Sequence, residues 1–268
     1  MGRAPRSGEI ELAAGTIVIT GASAGLGAAL AGLYAGPGVT LGLIGRDRSR
    51  LDDVAAKARA AGATVILGCL DVGDAAAMGD WMLAFDAANP IDLVIANAGI
   101  SRGTAADGTP EGLRNFTDQV RINLLGAANT IEPILPAMRM RRRGQIALIS
   151  SIAGLRGLPD SPGYCASKAG LRAYGEALRA ALRPDGIAVS VVSPGFFETE
   201  MVKQFRGDRP FMLSLARAAA LTKRGLDAKR SRIVFPAILG LGVRITDLLP
   251  AWIGDRILRR FRFHIAPR

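Results

Sequence analysis

The residue types best suited to chemistry lie in Tyr164-Cys165-Ala166-Ser167-Lys168, with Ser151 thirteen positions before the tyrosine. On a helix Tyr164 and Lys168 stand one turn apart and share a face. An ammonium beside a phenol stabilises the phenolate, so the spacing predicts a tyrosine pKa lowered from its usual value of about 10 toward working pH. Such a phenol passes a proton to or from a carbonyl oxygen. A Y-x-x-x-K spacing also arises by chance on helices, where it is no more than a surface contact. What surrounds it decides.

Other reaction types lack their residues. The two cysteines, Cys69 and Cys165, and the single histidine, His264, do not make up a zinc site of the usual kind, and no metal is expected. A Ser-His-Asp hydrolase is disfavoured by a histidine that lies four residues from the end. Cys165 has no histidine near it in sequence to activate it, and both cysteines read as small buried residues of a reducing compartment. Residues 1–200 carry 19 basic and 19 acidic side chains, while residues 201–268 carry 15 and 4, so the final quarter supplies the whole +11. A neutral body with a basic end is not a general nucleic-acid binder; it points to a local attraction for anionic substrate, surface or lipid headgroups. Residues 12–45 are uncharged, but glycines and turn residues divide them into strand, turn, helix and strand. Met1 to Gly8 lacks the apolar centre of a signal peptide. The expectation is a cytoplasmic protein, at most held at the inner face of a membrane.

The elements that must position the tyrosine follow in order. Thr16 to Thr20 is a buried strand by its β-branched run. It leads into Thr20-Gly21-Ala22-Ser23-Ala24-Gly25-Leu26-Gly27 and a helix over 28–35. Glycines here permit a tight turn and bring backbone N–H groups close to a pyrophosphate at the helix start. Val39 to Ile44 is a second strand, followed by Gly45, Arg46 and Asp47. An acid near this strand end holds a ribose 2′-hydroxyl, whereas an arginine accommodates a 2′-phosphate. Asp47 has the acid's nominal spacing but falls past the strand, where it equally suits a helix cap. Arg46 therefore favours NADPH, with NADH the alternative. A helix over 48–61, a strand from Thr64 to Leu67 leading to Asp71-Val72, and a strand from Asp92 to Ala96 ending in Asn97-Ala98-Gly99 continue the alternation. Two helices are expected over 111–141, with Asn123 in an apolar section. A strand over 145–150 delivers Ser151, a helix over 163–182 carries Tyr164 and Lys168, and a strand over 187–192 ends at Pro194-Gly195. Strands alternating with helices six times predict a doubly wound parallel sheet in three α/β/α layers, of about seven strands, in one domain over 1–268.

Assembled in this order, the residues resemble the short-chain dehydrogenase/reductase family, in its subgroup of about 250 residues. The resemblance covers residues 14–200 and rests on TGASAGLG at 20–27, Asp71, NAG at 97–99, Asn123, Ser151, YCASK at 164–168 and PG at 194–195, with Thr199 close behind. It implies a Rossmann-type core and a catalytic set of Asn123, Ser151, Tyr164 and Lys168. In it Tyr164 is the general acid for reduction or base for oxidation. Lys168 lowers the phenol pKa and bonds the nicotinamide ribose, Ser151 holds the substrate oxygen, and Asn123 anchors a water in a proton path to Lys168. Gly21, Ser23, Gly25, Leu26 and Gly27 match the phosphate turn, Arg46 the 2′-phosphate arginine, and Asp71 with Val72 the adenine contact. Asn97, Ala98 and Gly99 match the cofactor floor, and Pro194, Gly195 and Thr199 the nicotinamide side. One departure is Ala24, which stands where many NADPH-preferring relatives carry a second basic residue. Relatives pair into dimers or tetramers through the helices that here begin near Gly126 and Gly163.

The end of the chain is read separately. Residues 196–230 are rich in Phe, Met and Leu, among them Phe196, Phe197, Met201, Phe205, Phe211, Met212 and Leu215, and suit either a lid over an apolar substrate or completion of the core. Ile233 to Phe235 is a seventh strand. In the extension over 236–268, the uncharged run from Ile233 to Val243 is too short to cross a bilayer. Leu249, Ile253, Ile257 and Phe261 recur every four residues near Trp252, with Arg256, Arg259, Arg260 and Arg262 around them. That pattern suits a basic helix lying on a membrane, a subunit interface, or a tail wrapped on the core. The functional reading is an NADPH-dependent reduction of a ketone, or oxidation of a secondary alcohol, on a mainly apolar, lipid-linked or acyl substrate. The alternatives are an epimerase or dehydratase, and a cofactor-binding regulator without catalysis.

Overall fold

In Thr16–Thr20 (β1) the side-chain alternation already assigns two layers: Ile17 and Ile19 enter one apolar core, and Val18 the other. The computed structural model describes residues 15–105, 107–203, 205–207, 211–258 and 263–265. Met1 to Gly8, Phe261, Arg259, Arg260 and Arg262 lie outside them, as do the side chains of Met201, Phe205 and His264.

After β1 come Gly25–Tyr34 (α1), Thr40–Gly45 (β2), Arg48–Ala60 (α2), Thr64–Cys69 (β3), Ala75–Ala88 (α3) and Leu93–Ala96 (β4). The second half runs through Gly112–Val120 (α4), Gly126–Ile131 (α5), Leu135–Arg141 (α6), Gly144–Ile149 (β5), Pro162–Leu182 (α7) and Ile187–Pro194 (β6). It closes with Glu200–Lys203 (α8), Phe205–Gly207 (β7), Leu215–Asp227 (α9), Arg232–Phe235 (β8), Ala237–Leu248 (α10), Ala251–Leu258 (α11) and Phe263–Ile265 (β9).

The strands form a parallel sheet of seven in the order β3-β2-β1-β4-β5-β6-β8. Its order reverses between β1 and β4, so the crevice for a ligand opens there, at the carboxyl ends of the strands. Leu26, Leu30 and Ala31 of α1, Leu51 and Ala55 of α2, and Ala218 and Leu226 of α9 fill one face. Met78, Met82 and Phe85 of α3, Ile131 of α5, Met138 of α6 and Leu171 of α7 fill the other. Each fully buried Leu, Ile or Met contributes about 1.5–3 kcal/mol. Gly42 in β2 is there for space, because a Cβ would press on the rings of Trp81 and Phe85, which stack 4.9 Å apart. Two apolar layers about an all-parallel sheet make this the expected three-layer α/β/α fold.

Three local expectations change. The stretch over 111–141 is not two helices: α4 runs into a π-helical turn over Arg121–Leu125, and a 3-10 turn over Glu132–Ile134 separates α5 from α6. Pro133 and Pro136 sit in the first turns of the last two pieces and force that break. The region over 196–230 divides, since α9 belongs to the core against α1, whereas Phe196, Phe197, Thr199, Val202 and Phe211 line the cavity. The four-residue repeat near the end is not one helix. Pro250 separates α10 from α11, Leu249 precedes the break, and Leu258 and Gly254 of α11 are buried. Among the described residues no helix is long and apolar enough to cross a membrane, and no group of His, Cys, Asp or Glu is arranged to hold a metal.

Candidate active site

The glycine turn is built to leave backbone exposed. Gly21 and Gly25 adopt φ of 65° and 54°, which side-chain-bearing residues rarely do. A Cβ on Gly21 would sit 2.9 Å from Cα of Ala98, and one on Gly27 would overlap the Gly21 carbonyl oxygen. Thr20 Oγ1 accepts the N–H groups of Asn97 and Ala98 at 3.0 and 3.1 Å, and Asn97 Nδ2 returns a bond to Thr20 O at 2.9 Å. The ends of β1 and β4 are thereby locked together under the turn. The first turn of α1 carries no acid and its cap makes no side-chain hydrogen bond, so its N–H groups are left for an external anion. This cradle fits the pyrophosphate of a dinucleotide. Arg46, exposed at the end of β2, lies on the same cavity. Asp47 does not: its carboxylate caps α2, accepting Arg50 N at 3.0 Å. Asp71 accepts Gly73 N at 2.8 Å and faces Arg121 at 3.5 Å.

The cavity runs from this turn to the catalytic candidates and has a volume of about 610 Å³. It is lined by sixteen of the eighteen residues singled out above; only Gly27 and Asn123 stand behind its surface. Gly27 lies under the Gly21 carbonyl, and Asn123 sits fully buried in the π-helical turn. Asn123 accepts Ile100 N at 2.8 Å and donates to Ile100 O and to Ser167 Oγ, both at 2.9 Å. Ser167 in turn donates to Tyr164 O at 2.8 Å, so Asn123 braces the first turn of α7. Ser151 follows β5, and its hydroxyl accepts Ala153 N at 3.1 Å while facing the Tyr164 phenol. Lys168 is buried, donates to Ile149 O at 2.8 Å, and holds Nζ 5.8 Å from the centre of the Tyr164 ring.

Tyr164 does not acquire the lowered pKa that its spacing from Lys168 suggests. Burial pushes it up to about 12, against the lowering effect of the Ser151 hydroxyl. Burial likewise brings Lys168 down to about 8. Burial penalises phenolate and ammonium alike, and it is the largest cause of both shifts. Cys165 is buried as expected, whereas Cys69, at the end of β3, is exposed. Cys165 is pushed up to about 11 by burial and stays a thiol, which leaves no activated nucleophile beside the tyrosine.

Residues 15–210 match the sequence model of the family described as short chain dehydrogenase. The chain belongs to the short-chain dehydrogenase/reductase family. It is therefore a nicotinamide-dependent oxidoreductase. This dehydrogenase is 37% identical over 254 residues to an uncharacterized oxidoreductase of Myxococcus xanthus, covering 94% of this chain and 99% of that protein. It is 33% identical over 221 residues to a 3-dehydrosphinganine reductase of Arabidopsis thaliana, covering 81% and 65%. Among solved structures it is similar to a short chain dehydrogenase/reductase of Burkholderia phymatum in complex with NAD, with TM-score 0.79, 26% identity, and 90% and 95% coverage.

Two features of this dehydrogenase escape a reading of its sequence. The first is a wall built from far along the chain: Leu239, Val243 and Thr246 of α10 and Ile257 and Leu258 of α11 line the cavity beside Phe196, Phe197 and Phe211. The second is Glu111. Its carboxylate accepts Gly163 N at 2.6 Å and Gln119 Nε2 at 2.8 Å, while Gln119 Oε1 accepts Arg102 N at 2.8 Å. Ser161, the residue that caps α7, makes no side-chain cap bond. Glu111 thus serves as a cap lent by another element, one residue before Tyr164. No periodicity marks such an acid; its only signal is a carboxylate just before a helix. Replacing Glu111 with Ala should lower stability by about 1–3 kcal/mol, since it removes a cap and leaves a buried amide short of a partner. An unchanged melting temperature would refute that bracing role.

Proposed function

We propose that the protein is an NADPH-dependent reductase of ketones on mainly apolar, lipid-linked or acyl substrates, with secondary-alcohol oxidation as its reverse. The observation that carries this reading is the Tyr164 phenol, set against Ser151 on a cavity whose far end is the glycine cradle and whose other walls are largely apolar. Bound NADPH supplies a hydride to the carbonyl carbon. Tyr164 gives its proton to the carbonyl oxygen as negative charge builds there. Ser151 donates a hydrogen bond to that same oxygen, an oxyanion-type contact. Lys168 holds the cofactor ribose and returns a proton toward Tyr164. Asn123 positions this pair from behind, through Ile100 and Ser167. Phe196, Phe197 and Phe211, with the helices α10 and α11, wall the substrate and keep water from it. The name of the Arabidopsis relative, a 3-dehydrosphinganine reductase, is in keeping with a long-chain ketone.

The raised phenol pKa favours reduction. A phenol with pKa about 12 is protonated throughout the neutral range and is ready to act as an acid, whereas the phenolate needed for oxidation grows only as pH rises. Lys168, with a pKa of about 8, loses its charge above that point. The pH profile should accordingly be flat for ketone reduction up to about 8 and fall beyond it, while alcohol oxidation climbs with alkalinity. Oxidation that peaks near neutrality would contradict the assignment.

NADPH is favoured because Arg46 reaches the cavity while Asp47 is committed to capping α2. The Burkholderia phymatum relative was solved with NAD, so the preference needs its own measurement. Arg46→Ala should weaken NADPH by about 10–150-fold, the worth of a charge-assisted hydrogen bond of ~1.5–3 kcal/mol, and leave NADH nearly unchanged. An equal loss for both would defeat the 2′-phosphate role. The protein is read as cytoplasmic and as a homodimer or homotetramer, with peripheral contact to an anionic membrane through its C-terminal helices. The whole reading is tested by NADPH consumption over a panel of ketones graded in chain length. No turnover with any of them, together with tight cofactor binding, would make the protein a non-catalytic binder.

A further inference from the structure

Helix α10 is apolar on both sides. Leu239, Gly242, Val243 and Thr246 line the active-site cavity. On the opposite side Leu241, Ile245 and Leu248 are 60%, 50% and 85% exposed, and Trp252, at the start of α11, is 72% exposed. The spacing of four and three residues draws Leu241, Ile245 and Leu248 onto one side of α10, with the exposed Arg244 among them. A scattered leucine on a surface needs no explanation, but three large apolar side chains on one exposed side of a helix do. Ile238 joins the two sides, since it both lines the cavity and is 64% exposed. Phe211 also lines the cavity and is 56% exposed.

We infer that the outer face of α10, with Trp252, docks on an anionic lipid surface, and that the active site takes its ketone directly from that surface past Ile238. The inference rests on the reductase reading for the second half only. Three observations select lipid. The final quarter of the chain holds the entire excess of positive charge, 15 basic against 4 acidic residues; on the two helices concerned Arg244 and Arg256 are exposed, and the exposed Asp255 is paired with Arg156. A helix of 12 residues spans only ~18 Å, which suits lying in an interface rather than crossing one. Trp252, exposed in the helix that follows, is suited to the level of the headgroups. An acyl chain leaving the bilayer beside α10 would meet apolar wall from Ile238 to Phe196, with Tyr164 and Ser151 beyond.

The experiment uses the full chain and two kinds of vesicle, phosphatidylcholine alone and phosphatidylcholine mixed with phosphatidylglycerol. The variant is Leu241→Glu with Ile245→Glu and Leu248→Glu, three positions that do not line the cavity. The wild type should sediment with the anionic vesicles, and the variant should bind them about tenfold or more weakly, since each substitution sets a charge where the apolar face would enter. Turnover of a short, water-soluble ketone should be the same in both proteins, while turnover of a long-chain ketone carried in anionic vesicles should fall with the variant. Should the triple variant not fold, Leu248→Glu alone, at the most exposed position, should weaken binding in the same direction. Wild type that ignores anionic vesicles, or a folded variant that binds like wild type, overturns the inference. So does a variant that changes the oligomeric mass in lipid-free solution, since the face then belongs to a second copy. Vesicle binding that the variant loses, in a protein that reduces no ketone, sinks the reductase reading and leaves the docking face standing.

Discussion

Tyr164→Phe should lower ketone turnover by about 10²–10⁴-fold, the usual worth of a positioned proton donor, while NADPH binding survives. The ring contributes packing that phenylalanine reproduces, and only the hydroxyl facing Ser151 is removed. The brace from Asn123 through Ser167 ends on the backbone carbonyl of Tyr164, so it is untouched by the change. Single-turnover measurement of NADPH oxidation, beside a cofactor titration, separates the two effects. Loss of both together would mean that the substitution had disturbed the fold of the site. Retained turnover would remove the tyrosine from the chemistry.

Gly27→Ala should be nearly as damaging by a different route. Its added Cβ would overlap the Gly21 carbonyl oxygen and come 2.7 Å from Asn97 Nδ2, both parts of the locked turn. Neither neighbour can yield without opening the Thr20–Asn97 bonds that join β1 to β4. Overpacking of this kind costs about 1–3 kcal/mol, which if spent on the cradle alone corresponds to ~5–150-fold in dinucleotide affinity. Gly32, by contrast, has nothing within 4 Å of a Cβ position, so Gly32→Ala is the control that should change neither binding nor turnover. Equal behaviour of the two alanine variants, in titration and in thermal melting, would show that the turn has more room than its geometry allows.

What could be read from sequence was whatever a short stretch decides by itself. Ile17 and Ile19 against Val18, the glycines at 21, 25 and 27, and the strand that delivers Ser151 each carry a local pattern with one structural solution. The seven-stranded sheet followed from those strands. Proximity was equally legible for Tyr164 and Lys168, but proximity does not set a pKa. Burial sets it here, and the cavity on which the phenol lies is walled by Phe196, Leu239 and Leu258, which are distant in sequence. Glu111 meets Gly163 across 52 positions, a contact that no spacing rule reveals. The repeat of Leu249, Ile253 and Ile257 among charges suggests from sequence a helix lying on a surface. In the structure Ile257 points to the cavity, and the exposed stripe lies one helix earlier, at Leu241, Ile245 and Leu248. Pro250 was the available signal that the two segments are separate helices. Pro133 and Pro136 likewise announced the break between α5 and α6.

The central claim, that this cavity brings a ketone carbonyl to the Tyr164 phenol for reduction, is tested most directly with NADPH deuterated at the nicotinamide C4 and a long-chain ketone. Mass spectrometry of the product should find deuterium on the carbinol carbon with the wild-type protein, and about 10²–10⁴-fold less of that alcohol in the same time with Tyr164→Phe. Tight cofactor binding by the wild type, with no deuterated alcohol from any ketone tried, would contradict it.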